Sequence, residues 1–153
     1  MSHTARVAYF QLAPKTAKAL TSLSMALRKD LLGERLVELV NLRVSQINGC
    51  AFCIDMHWSA LVKGGMDARH LNALPGWREA PFFSDRERAA LRWAELVNDM
   101  PHADASDEEF ARLQVHFNDA EIAELSFAIA TIRAWNLLNV SLRMPMPERP
   151  FTV

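Results

Sequence analysis

Along most of the chain, apolar residues recur three and four positions apart, and no stretch alternates with period two in β-branched residues. The pattern predicts an all-α protein. Pro14 suits the first turn of a helix reaching about Lys29, and Leu31-Leu32-Gly33 breaks it. A second helix runs from Glu34 to about Ile47 and stops at Asn48-Gly49. A third starts near Cys50 and ends at Gly64-Gly65, where glycine can take the left-handed cap conformation. A short helical turn follows Asp67, and Pro75 to Pro81 reads as a loop. Ser84 with Glu87, and Ser106 with Glu109, have capping-box spacing; they open helices to about Asp99 and about Phe117. Asn118 caps a long helix from Asp119 to about Arg143, and Pro145, Pro147 and Pro150 make the tail irregular.

Two helices depart from simple amphipathicity. In the last one, Ile122, Leu125, Ile129, Ile132 and Leu138 sit among Phe127, Ala130, Ala134, Leu137 and Val140. A helix apolar on nearly every side is either the centre of a bundle or part of a subunit interface. The second helix carries Glu34, Glu38, Asn41, Ser45 and Asn48 as one polar stripe among leucines and valines. Asn136 and Asn139 either bond across an interface or line a pocket.

Composition narrows the classes. The 153 residues fit one helical-bundle domain of about six to seven helices, residues 1–153, with a redox core at about 34–65 and a proline-rich tail at about 144–153. Half are apolar and 23% charged, as in ordinary globular proteins. Seventeen basic against eighteen acidic residues leave no excess to hold a phosphate backbone, so no nucleic-acid partner is expected. No run approaches the roughly 20 apolar residues of a membrane span, and the first residues lack the apolar core of a signal peptide. The expected location is cytoplasmic. Thiols are kept reduced there, so two cysteines three apart read as catalytic, redox-active or metal-binding rather than as a staple.

The candidate chemistry centres on Glu38, Cys50, Cys53 and His57. On one helix, the two cysteines and His57 share a face. Gly49 permits a tight turn that puts Cys50 in the first helical turn, where the dipole favours a thiolate. If Asn48-Gly49 folds the second and third helices into an antiparallel hairpin, Glu38 lies about 16 Å before the turn and His57 about 12 Å after it. Carboxylate and imidazole then meet at similar heights. His57 would serve as the base for Cys53, Glu38 would orient His57, and Cys50 would close a disulfide with the sulfenic acid formed on Cys53. The dipole favours Cys50 as the acidic thiol and the imidazole favours Cys53; the base with its carboxylate outweighs a dipole effect of about 1 kcal/mol.

At these residues, in the context Leu42-Arg43-Val44-Ser45-Gln46-Ile47-Asn48-Gly49-Cys50-Ala51-Phe52-Cys53, the chain resembles the alkylhydroperoxidase D and carboxymuconolactone decarboxylase superfamily. The likeness continues through Trp58 to Gly64-Gly65, and Ala134-Trp135-Asn136-Leu137-Leu138-Asn139 looks like that family's closing helix. The resemblance implies an all-α, alkylhydroperoxidase D-like fold assembled as a trimer or hexamer. It implies a peroxidase acting on a hydroperoxide substrate through Cys53, with Cys50 resolving and a dithiol reductant, a lipoyl protein or thioredoxin-like, restoring both. No cofactor or resident metal is implied. The decarboxylase branch lacks the cysteine pair, so the pair points to the redox branch. Some redox members carry a histidine before the second cysteine; here Phe52 stands there.

Rival readings remain. Cys50, Cys53, His57 and Glu38 could ligate zinc, although no second cysteine pair completes the usual closed set. The cysteines could be buried packing residues. A helical oligomer could sense oxidant or exchange disulfides without turnover, or His57 and Glu38 could run decarboxylase-like acid and base chemistry. Trp58, Trp77, Trp93 and Trp135 read as core or interface, and His3, His70, His102 and His116 have no partner pattern.

Overall fold

In a computed structural model, residues 4–149 and 151 are described. Eight α-helices and one 3₁₀ turn occur among them, with no strand: α1 Tyr9–Leu12, α2 Pro14–Arg28, α3 Glu34–Ile47, α4 Ala51–Lys63, α5 Ala68–Asn72, the 3₁₀ turn Leu74–Gly76, α6 Asp85–Asn98, α7 Asp107–Gln114 and α8 Asp119–Ser141. The expected caps form. Ser84 with Glu87 and Asn118 with Glu121 make reciprocal capping boxes, and Ser106 accepts from the Glu109 N–H. Residues 144–149 are irregular as the prolines require; Pro150 and the first three residues lie outside the described set. α1 exceeds the expected count because four residues without a side-chain cap leave no periodic signal.

The centre of the bundle is α3, not the long α8. Leu36, Val40 and Val44 of α3 pack with Trp93, Leu113, Phe117, Leu125 and Ile129 in one cluster. Leu39 and Leu42 join Leu61, Leu71, Leu74, Trp77 and Phe83 in a second, and Val37 meets Leu27 and Ala128 in a third. α3 can be internal because its polar stripe finds partners inside: Glu38 and Ser45 are both buried and both paired. α8 is buried on one side only. Phe127, Leu137 and Val140 stand on its other side, at 58%, 64% and 47% exposure. The all-round apolarity of α8 therefore belongs to an open apolar face, not to an internal helix.

The loop before α6 is held by that helix's own arginine. Arg88 donates to the carbonyl oxygens of Phe83, Trp77, Arg78 and Ala80, satisfying backbone groups that no helix pairs. Glu95, two turns further along α6, accepts from Arg43 Nε at 2.8 Å, Trp77 Nε1 at 2.9 Å and Arg78 Nη2 at 2.6 Å. Burial alone would raise its pKa, but the three hydrogen bonds and the Arg43 charge together hold it below the ordinary glutamate value. A lowered native pKa stabilises the fold above the unfolded value of 4.5 and is lost as pH falls through the native one. Glu95→Gln should therefore cost about 1–2 kcal/mol in urea unfolding at pH 7. The difference from wild type should shrink below about pH 4; a pH-independent difference would refute the charge argument.

Candidate active site

The turn between α3 and α4 places both sulfurs. Gly49 has φ of +68°, and the Cys50 N–H bonds the Ser45 carbonyl at 3.1 Å while the Gly49 N–H bonds that of Gln46. This is a Schellman ending, which needs a residue at ease in the left-handed region. The residue that completes it, Cys50, is at once the N-cap of α4, and its Sγ accepts from the Cys53 N–H at 3.3 Å. The expected position in the first helical turn is thus off by one: Cys50 caps the helix, with its sulfur still at the positive end of the dipole. Cys50 and Cys53 are joined as a disulfide, with Cα atoms 5.3 Å apart.

A cluster of amides anchors this turn. Asn48 Nδ2 donates to Asn98 of α6 at 2.9 Å and to Asn136 of α8 at 3.0 Å, and Asn98 returns a bond to Asn48. Asn136 also donates to Ser45 Oγ at 3.1 Å. Asn136 is therefore an internal strut and not an interface residue. Three helices fix one turn, so the sulfurs cannot drift relative to α3 and α8.

Glu38 and His57 meet across the hairpin. His57 Nδ1 donates to Glu38 Oε2 at 2.6 Å, and both side chains are almost wholly buried. Arg28, at the end of α2, brings Nε to 2.5 Å from Glu38 Oε1, an ionic contact without hydrogen-bond alignment. With Nδ1 committed to the carboxylate, His57 Nε2 is buried and has no hydrogen-bond partner among the described residues. The Arg28 contact gave no sequence signal, because α2 carries no stripe aimed at Glu38.

A cavity of about 290 Å³ opens beside these groups. Phe10, Met25, Phe52, Ile132 and Trp135 furnish apolar wall, and Cys53, His57, Asn41 and Asn139 line it as well. Cys50 does not. The structure pairs Glu38 with His57 and Cys50 with Cys53; both cysteines are almost wholly buried, and Cys53, like His57, lines the cavity. Trp135, expected as core or interface, packs against the core and also lines the cavity, and its Nε1 donates to Ser24 Oγ at 2.9 Å. Asn41 is buried with Oδ1 unpaired. Asn139 donates through Nδ2 to Cys53 Sγ at 3.3 Å, and the Tyr9 hydroxyl donates to Asn139 Oδ1 at 2.6 Å. Of the two readings of Asn139, pocket or interface, the pocket holds. Tyr9 lies on the short α1 and had no pattern to betray it. No group of three or more His, Cys, Asp or Glu among the described residues is arranged to hold a metal ion.

A helical bundle with a cysteine pair at a hairpin turn and a carboxylate–imidazole pair behind it defines a class, and the comparisons agree with it. Residues 14–96 match the carboxymuconolactone decarboxylase family, and the chain belongs to that family. It is 33% identical over 137 residues to the uncharacterized protein YdfG of Bacillus subtilis (strain 168), across 90% of this chain and 93% of that one. A crystal structure from Agrobacterium tumefaciens, of a protein of unknown function suggested to be the antioxidant defence protein AhpD, superposes with a TM-score of 0.90 at 35% identity. It covers 95% of this chain and 100% of that chain. The debrominase Bmp8 shares the fold, with a TM-score of 0.80 at 19% identity over 91% of this chain and 75% of that one.

After reduction with dithiothreitol, a small neutral maleimide should label Cys53 about tenfold faster than Cys50, because only Cys53 lines the cavity. Peptide mass spectrometry at limiting reagent reads this directly; equal labelling would remove the cavity as the route to the sulfur.

Proposed function

We propose that this protein is a thiol-dependent peroxidase that reduces organic hydroperoxides, with Cys53 as the attacking sulfur. The observation that carries the reading is the buried Glu38–His57 bond, which leaves an unpaired imidazole nitrogen one helical turn from a sulfur at the wall of an apolar cavity. The Cys53 thiol gives its proton to His57 Nε2. The thiolate attacks the O–O bond of the hydroperoxide, one oxygen stays on sulfur as a sulfenic acid, and the leaving alkoxide takes the proton back from His57. The Cys50 thiol then displaces water and closes the disulfide. A dithiol donor, a lipoyl protein or a thioredoxin-like one, reduces it by exchange and is itself oxidised to a disulfide. The apolar wall suits the organic half of the substrate, and the unpaired Asn41 carboxamide suits its terminal O–H. The YdfG and Agrobacterium likenesses are compatible with this reading at the level of family, and the suggested antioxidant role of the latter points the same way.

The test is peroxide consumption with dihydrolipoamide as donor. Wild type should turn over continuously. Cys53→Ser should be inactive, and Cys50→Ser should consume one equivalent and stop at a trappable sulfenic acid. His57→Ala should lose about 10²-fold or more of the rate, and Glu38→Gln about tenfold. One equivalent from wild type would make the protein an oxidant sensor. Activity that survives loss of both cysteines would make it an acid and base enzyme of the same family.

The open face of α8 supports a homo-oligomer; the family resemblance makes that a trimer or hexamer. Ala123, Phe127, Ala130, Ala134 and Leu137 follow one another at three- and four-residue steps with no charge among them, the spacing of a helix packed on a second copy. Phe127→Glu with Leu137→Glu should reduce the mass in light scattering to that of one chain; an unchanged mass would place the interface elsewhere.

A further inference from the structure

Two polar groups beside Cys53 have no use in the proposed reaction: the Asn139 carboxamide, which bonds its sulfur, and the Tyr9 hydroxyl, which bonds that amide. They come from opposite ends of the chain. The Arg6 N–H bonds the Leu142 carbonyl at 2.8 Å and Arg6 Nη1 bonds that of Ser141, so the segment before α1 is tied to the end of α8. This lays Tyr9 against Asn139. The Tyr9 ring is held by Phe10, with centroids 4.6 Å apart, and by Trp135 at 6.3 Å.

The direction of the two hydrogen bonds matters. A primary amide has one accepting and one donating end. Tyr9 is buried, which raises its pKa and keeps the phenol protonated as a donor. A phenol O–H that donates at 2.6 Å holds the carbonyl end of Asn139, and the N–H end of the amide faces Cys53 Sγ. A disulfide sulfur is a weak acceptor and a thiolate a strong one. The bond therefore stabilises the reduced, ionised form of Cys53 far more than the oxidised form. Among the described residues, the Cys50 sulfur accepts only from the backbone N–H of Cys53 at the start of α4.

Resting on the peroxidase reading, we propose that Asn139 is the hydrogen-bond donor that selects Cys53 over Cys50 as the reactive thiolate, and that Tyr9 is a positioning residue that fixes which end of that amide meets the sulfur. The same bond acts in the return half of the cycle. When a donor thiolate attacks Cys50, a new S–S bond forms there, the Cys50–Cys53 bond breaks, and its electron pair leaves on Cys53, where the Asn139 N–H meets it.

The experiment reads thiol acidity without reference to peroxide. In a Cys50→Ser background, in which serine can still cap α4, the rate of Cys53 alkylation by iodoacetamide is followed against pH by intact mass. Asn139→Leu keeps size and adds no charge but removes the N–H donor. Tyr9→Phe keeps the ring and releases the amide. His57, Glu38 and Arg28, the other ionisable groups facing the site, stay the same throughout. Asn139→Leu should raise the alkylation midpoint by about one pH unit or more, a tenfold loss of thiolate below it, and Tyr9→Phe by a smaller amount. An unchanged midpoint in both overturns the proposal. A shift in Asn139→Leu alone overturns the part given to Tyr9. If Asn139→Leu does not fold, Tyr9→Phe decides: a raised midpoint upholds the relay and an unchanged one overturns it. Shifted midpoints in a protein whose wild type consumes no peroxide would keep the Asn139 assignment and sink the peroxidase reading.

Discussion

The buried pair of Glu38 and His57 is the constraint around which the rest is arranged. A carboxylate nearly shut off from water is costly unless it is paired on both oxygens. Here one oxygen takes the imidazole N–H and the other faces the Arg28 guanidinium. Three helices, α2, α3 and α4, must therefore close together at one point. Their closure gives His57 a single orientation, with the nitrogen that is not bonded to Glu38 buried and without a hydrogen-bond partner among the described residues.

The turn at Asn48-Gly49 performs the matching task for sulfur. A Schellman ending and an N-cap are fused on one residue, Cys50, so no slack separates the end of α3 from the start of α4. The amides of Asn48, Asn98 and Asn136 carry that rigidity into α6 and α8. Cys53 then has a fixed place at the cavity wall. Cys50 is bonded to it and is not among the residues that line the cavity.

The surface tells a second story. The protein leaves large apolar side chains exposed on α1, α2 and α8, among them Phe10, Leu12, Met25, Phe127 and Leu137. Phe10 and Met25 of this set also line the cavity. Exposed apolar side chains of α1 and α2 thus form part of the cavity wall.

What the amino-acid order alone determined is the local part: the helices, their caps, the turn, and the common face of Cys50, Cys53 and His57. These follow from spacings of three and four and from side chains that bond backbone within one turn. The Glu38–His57 meeting was also legible, because a three-residue connection folds α4 back along α3 and similar distances from the turn become contacts. Only the tertiary structure decided that α3 is central and α8 is half open, since an all-round apolar helix fits either place. It alone set Arg28 against Glu38, left Asn41 unpaired at the cavity, and laid Tyr9 on Asn139. Those last partners are 130 residues apart, and Asn139 is 86 residues from the sulfur it bonds. No local spacing encodes such a meeting; it exists only once burial has folded both ends of the chain over the same cavity.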